Sequence, residues 1–233
     1  MKLDAQTIRE LVIVLVPMIL SLTVHEFAHA WSAFKLGDDT AERQGRMTLN
    51  PMAHIDPIGT LLIPFFSVIS GGISLIGWAK PVPVSPYRFR RSVTMRKGMI
   101  ITALAGPASN LLIALLFAGI IMIKYGDIVN AVTSRYAVDR FLAVYAMGKE
   151  EPMMLILSRV FFLNLSLAIF NMLPVPPLDG SRVLPLAWQE KIARYQILVF
   201  LGLIAMINFG SSILVVPVSF LGNGMLALFS IFV

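Results

Sequence analysis

The chain has 233 residues, of which 57% are hydrophobic and 14% charged, with a mean hydropathy of +0.80 and a net charge of +6. This lies well outside the usage of water-soluble domains and predicts an integral membrane protein, all-α and polytopic, with about 4–6 membrane segments. There is no cysteine, which excludes disulfides, thiolate metal sites and a cysteine nucleophile, so any metal must use nitrogen and oxygen ligands.

Residues 1–10 form a polar lead, and the apolar stretch after them has no small-residue cleavage pattern of the kind that marks a removed signal peptide. Residues 8–36 are a helix candidate about 40 Å long, more than a hydrocarbon core requires. Inside it lies Val24-His25-Glu26-Phe27-Ala28-His29-Ala30, an HExxH sequence. On one helix His25 and His29 stand a turn apart on the same face with Glu26 beside them, the arrangement that binds zinc and activates water. It predicts a metallopeptidase. Three ionisable side chains in an apolar helix are costly unless they pair, line a cavity or bind a metal. Gly37 and the polar residues 38–45 then end the helix.

Residues 46–57 carry the third histidine, His54, in a loop set by Pro51 and Pro57. Three readings stand for it: a surface loop residue bonded to Asp56, a residue lining the active site, or a metal ligand. Residues 58–77 are long enough to span, but Pro64 and Gly71-Gly72 allow either a kinked crossing or a turn back under cover of protein. Residues 77–84, with Pro81 and Pro83, suggest extended backbone. That points either to a membrane-edge β-hairpin able to pair with an extended substrate or to plain interfacial anchoring by Trp78 and Lys80. The basic cluster Lys80, Arg88, Arg90, Arg91, Arg96 and Lys97 is flanked by hydrophobic spans, so an anionic lipid surface, and no nucleic acid, is its expected partner.

Residues 99–123 form the next span, where Ala103, Gly106 and Ser109 make a small-residue face for close helix contact. Asn110 is an amide within the bilayer that needs a partner, and the loop before Asp179 is one polar feature it would steady. Residues 124–152 read as a polar connection with an amphipathic helix at 136–147. The span from about Met153 ends at Asn171-Met172-Leu173-Pro174-Val175-Pro176-Pro177-Leu178-Asp179-Gly180, where three prolines must break the helix. Asp179 is then the expected third ligand beside His25 and His29, leaving a fourth position open for water; the plainer alternative is a helix cap. Residues 195–217 form another apolar span, and 218–233 are short for a further crossing; Asn208 and Asn223 suit helix packing.

On the HExxH at His25–His29 and the NxxPxPxxDG at Asn171–Gly180, the chain resembles the site-2 protease family, intramembrane zinc metalloproteases also called the M50 peptidases. Gly106 to Asn110 is similar to the G-x-x-x-N element of that family's core helix, and the resemblance covers about residues 10–190 of a single domain, 1–233. It implies one catalytic Zn2+ held by His25, His29 and Asp179, Glu26 as the base, and Asn171 as a partner for a substrate carbonyl or oxyanion. It also implies a transmembrane protein or peptide substrate, a multi-pass protein of the cell membrane, and no room for the PDZ or CBS domains of some relatives. A transporter or channel built on the broken helix, and an inactive membrane scaffold, are the alternative functions.

Charge gives a topology. If 58–77 turns back, segments 35–57, 78–98 and 180–194 share a face carrying twelve Lys or Arg, against six in the amino-terminal lead and 124–152. The positive-inside rule makes that face cytoplasmic, with the active site nearer to it.

Overall fold

The structure, a computed structural model, describes residues 4–69, 77–136, 139–148, 151–195, 197–199, 201–202, 205 and 212–230. Among the described residues three helices are long and apolar enough to cross a membrane: α1 (Ala5–Lys35), α4 (Met95–Tyr136) and α6 (Pro152–Asn171). Between and after them lie α2 (Thr40–Arg43), α3 (Ile63–Ile69), α5 (Arg140–Met147), α7 (Leu186–Ala193) and α8 (Ser212–Phe229). The architecture is an all-α, polytopic membrane fold.

Helix α1 opens where the Asp4 carboxylate accepts the Thr7 N–H at 2.8 Å, and it closes into Gly37, whose φ of 108° is left-handed. Ile8, Val12, Val16 and Leu20, four residues apart, form a stripe about half exposed. Leu112, Leu116, Ile120 and Ile123 form the corresponding exposed stripe on α4. Water would penalise such continuous apolar faces, whereas lipid solvates them.

The core lies where α4 packs on α6 and α8. Ala114 and Ala118 admit close approach, and Ile121, Met122, Phe161, Leu165 and Leu226 fill the space with no exposed surface. Toward the other end of α4 the packing is polar, and the site forms there.

Several sequence expectations shift. Helix α4 runs unbroken through Pro107 to Tyr136, about 63 Å, so residues 124–136 continue a helix instead of beginning a loop. The short helix expected at 136–147 is α5, Arg140–Met147, capped by the Asp139 carboxylate. At the carboxyl end α8 continues through Pro217 to Phe229, so the boundary expected at 217–218 falls inside one helix. Part of the span expected at 195–217, with Asn208, lies outside the described residues. Asn223 accepts the Arg140 N–H at 3.1 Å, joining α8 to α5.

Segment 58–77 begins as a π-helical turn, Pro57–Leu62, capped by the Asp56 carboxylate, and continues into α3. Its two ends meet: the Trp78 N–H donates to the Gly59 carbonyl at 3.2 Å, and the Thr60 hydroxyl donates to the Trp78 carbonyl at 2.7 Å. A full crossing would separate them by about the 30 Å of a hydrocarbon core, so the chain comes back to the side it left. Gly71-Gly72 lie outside the described residues.

Residues 77–85 are extended, as the two prolines require, but no β-strand occurs among the described residues, so the expected hairpin is instead an extended segment fastened to helices and loops. The Lys80 N–H donates to the His54 carbonyl at 2.9 Å and the Ser85 N–H to the Asp38 carboxylate at 2.6 Å. Arg46 donates to the Lys80 carbonyl at 2.6 Å. Asp38, only 1% exposed, also accepts from the Thr40 backbone, so one carboxylate locks the end of α1 to this segment. Asp39 pairs with both Arg43 and Arg88, which removes Arg88 from the set of cations free to meet lipid.

Candidate metal centre and catalytic cavity

Three ligand atoms from two distant parts of the chain converge. His25 Nε2 and His29 Nε2 are 3.0 Å apart, and Asp179 Oδ2 lies 3.1 Å from the first and 3.3 Å from the second. The four-residue spacing on α1 aims both imidazoles at α4. The broken segment after α6 brings Asp179 across to them, at the start of a 3-10 turn, Asp179–Val183.

That break is built by sequence. After Asn171 the prolines end α6, and short turns join Leu173 to Val175 and Val175 to Leu178 through N–H to carbonyl bonds of 2.8 and 2.9 Å; Pro176-Pro177 is a cis bond. The chain then folds back on the end of α6 so closely that a Cβ on residue 180 would sit 2.2 Å from the Met172 carbonyl oxygen. Only glycine fits there.

The hydrogen bonds around the imidazoles fix what faces the centre. His29 Nδ1 lies 2.7 Å from the Thr102 carbonyl, which can only accept, so Nδ1 carries a proton and Nε2 is the nitrogen turned to the centre. His25 Nδ1 lies 2.6 Å from Asn110 Oδ1, while the Asn110 amide nitrogen donates to Asn164 Oδ1 at 2.8 Å. The Asn164 amide in turn donates to Ser21 Oγ at 2.9 Å and to the Val160 carbonyl at 2.9 Å, which sets the orientation of both amides. His25 Nε2 therefore also faces the centre. Asp179 Oδ2, buried and without a hydrogen-bond donor, supplies the third ligand atom.

Two imidazole nitrogens and a carboxylate oxygen about 3 Å apart need a cation between them, and a metal ion meets all three at once. Ligands at about 2.0–2.1 Å around a tetrahedral ion stand about 3.3 Å apart, close to the separations observed. The donor set, two imidazoles and a carboxylate, is one that catalytic zinc takes with a fourth position open. The residues thus fit the ion that the motifs imply.

Helix α4 supplies the opposing wall from positions four apart: the Thr102 carbonyl, Gly106 and Asn110. A Cβ on residue 106 would lie 2.4 Å from His29 Nε2 and 2.6 Å from His25 Nε2, filling the cradle itself. Gly106 therefore does more than permit helix packing. Asn110, completely buried, orients His25 and not the loop before Asp179. Sequence reasoning does not single out Asn164, Ser21 or Thr102. Asn164 does carry a signal, a second amide in an apolar span one heptad before Asn171.

Glu26 stands beside the histidines, and its Oε2 accepts the Val82 N–H at 2.9 Å. It shares with His25, His29 and Asp179 a cavity of about 650 Å3 whose walls include Trp78, Ala79, Pro81 and Val82 of the extended segment, Phe170, Asn171 and Arg182. Asn171 reaches that wall as expected, and its amide donates back to the Leu167 carbonyl at 3.0 Å. His54 takes no part. Its Nε2 is 2.8 Å from the Thr48 carbonyl and its ring is buried behind the extended segment, while Asp56, the partner considered for it, caps the Pro57–Leu62 turn.

Two histidines and a carboxylate brought together in a helical membrane bundle, with a glutamate beside them, have the donor set of a metal-dependent hydrolase. Comparison with known proteins gives the family: the profile described as peptidase family M50 matches residues 13–214, and the chain belongs to that family. Among its relatives are two that carry the name "Putative zinc metalloprotease": YwhC of Bacillus subtilis, 39% identical over 72% of this chain and 66% of its own length, and Rip2 of Mycolicibacterium smegmatis, 32% identical over 76% of this chain and 60% of its own. Rip2 of Mycobacterium tuberculosis is 32% identical over 74% of this chain and 56% of its own length. The chain thus spans less than two thirds of these relatives. No solved structure matches significantly.

Proposed function

We propose that the protein is a zinc-dependent intramembrane endopeptidase that cleaves membrane-embedded protein segments. The observation that carries this reading is the convergence of three metal-ligating atoms, from His25, His29 and Asp179, within reach of a cavity that also holds a carboxylate. Family membership and the zinc metalloprotease names of the relatives support the same chemistry.

Zinc held by His25, His29 and Asp179 supplies an acidified water and a Lewis acid for the scissile carbonyl. Glu26 is the proton carrier. The Val82 N–H holds its Oε2, leaving Oε1 to take the proton of the attacking water and pass it to the departing amide nitrogen. Asn110 and the Thr102 carbonyl keep each imidazole in the tautomer that leaves Nε2 free. Asn171, on the cavity wall, is the donor proposed for the developing oxyanion, keeping one amide hydrogen for that purpose while the other bonds Leu167. A substrate must be locally extended, since a regular helix buries its peptide bonds. The extended segment that lines the cavity with Trp78, Ala79, Pro81 and Val82 suits a partner of that shape.

The basic segments 35–57, 78–98 and 180–194 flank this end of the bundle, and the meeting of Gly59 with Trp78 supports their sharing one side. The positive-inside rule then orients the site toward the cytoplasm. Purified protein in proteoliposomes should cleave a transmembrane peptide, stop when the metal is chelated and resume when zinc is restored. Unchanged cleavage after chelation would remove the metal from the mechanism.

A further inference from the structure

A second cavity, of about 750 Å3, opens on the flank of the bundle where α1, α5, α6 and α8 meet, away from the metal centre. Pro17, Leu142, Phe162 and Val218 give it apolar walls, one from each helix. Into it projects Arg159, the single charged residue of α6. No ion pair, hydrogen bond or ring contact engages this guanidinium among the described residues. A cation in the apolar body of a membrane helix is costly without an anion or water to meet it, and none of the described carboxylates pairs with this one.

Depth says where an anion would come from. Arg159 is eight residues from the helix cap at Glu151, about 12 Å along the axis, and twelve residues, about 18 Å, from Asn171 in the catalytic cavity. Helical side chains lean toward the amino terminus, and a long Arg stem carries the guanidinium toward the nearer end of the helix. The groove beneath it is apolar, with the Ser166 hydroxyl as a further polar group. Its volume lies in the range of small-molecule sites. A cation at the rim of a slot that is apolar along its described walls is complementary to one kind of occupant. We infer that this groove binds an anionic phospholipid, its phosphate on Arg159 and an acyl chain between α1, α5 and α8, in the leaflet away from the catalytic end.

Native mass spectrometry of the purified full chain, offered equal phosphatidylglycerol and phosphatidylcholine, tests this. The wild type should retain phosphatidylglycerol in preference by about fivefold, the effect expected of one cation at a membrane surface. Arg159→Gln should abolish that preference, and Arg159→Lys should keep it. Leu142→Trp, which fills the groove and leaves the charge, should lower retention of both lipids, so the test survives if Arg159→Gln fails to fold. Arg90→Gln with Arg91→Gln, in the basic cluster near the metal centre, should leave the preference intact. Equal preference in the wild type and Arg159→Gln, loss of preference in the Arg90/Arg91 variant alone, or a polypeptide cross-linked at position 142 in native membranes would each overturn the assignment.

Discussion

His25 Nδ1 and Asn110 Oδ1 lie 2.6 Å apart across the contact between α1 and α4, and this bond decides which nitrogen of His25 faces the metal centre. Asn110→Leu keeps the volume roughly constant but removes the acceptor and leaves the Asn164 amide unmatched. Zinc affinity should fall by about 10–100-fold, the usual cost of losing a partner behind a metal ligand. Titration with a competing chelator measures it. Unaltered affinity would show that Asn110 serves packing alone.

Gly106 is the other contribution of α4. Alanine there places a methyl 2.4 Å from His29 Nε2, so Gly106→Ala should abolish zinc retention while the helical content stays. Gly224→Ala, whose methyl meets nothing within 4 Å, is the matched control and should retain zinc. Zinc content by atomic emission, with circular dichroism on the same samples, separates a blocked cradle from an unfolded bundle.

Much of the site is legible in the amino-acid sequence alone. The HExxH needs only helical periodicity to place its histidines, and the proline run before Asp179 forces a break wherever it falls. The membrane class follows from composition. What sequence does not reveal is mostly what depends on two segments meeting. Nothing along α4 says that Asn110 faces His25, because the register between two apolar helices is fixed by packing and not by local pattern. The same holds for Asp38, which looks like a terminator residue yet fastens Ser85, forty-seven positions on. Residues 124–136 read as a loop because their charges are scattered, whereas a helix continuing beyond the hydrocarbon core can expose such charges to water.

Asp38 gives a prediction of its own. Asp38→Ala strips the Ser85 N–H and the Thr40 turn of their acceptor, costing about 1–3 kcal/mol of stability. It also loosens the segment that lies against Glu26. Proteolysis should fall while zinc remains bound, and hydrogen exchange at residues 78–85 should rise. Unchanged exchange there would mean that the other fastenings suffice.

Asp179 and Asn171 should separate binding from turnover. Asp179→Asn replaces a charged ligand with a neutral amide and should lose most bound zinc and with it activity. Asn171→Ala should keep zinc and slow cleavage by about 100-fold or more, the loss typical of one oxyanion donor. Metal content and single-turnover cleavage on the same preparations distinguish them. Full zinc retention in Asp179→Asn would disprove its place in the centre.

The most direct measurement is where, and by which carboxylate, a membrane substrate is cut. Zinc-loaded wild type and Glu26→Gln, reconstituted with a transmembrane peptide, are compared by mass spectrometry of the fragments. The account predicts cleavage within the apolar segment by the wild type, and for Glu26→Gln full zinc content with a rate lower by roughly 100- to 10,000-fold. Undiminished cleavage by Glu26→Gln, or wild-type cutting confined to the peptide's water-exposed ends, would contradict it.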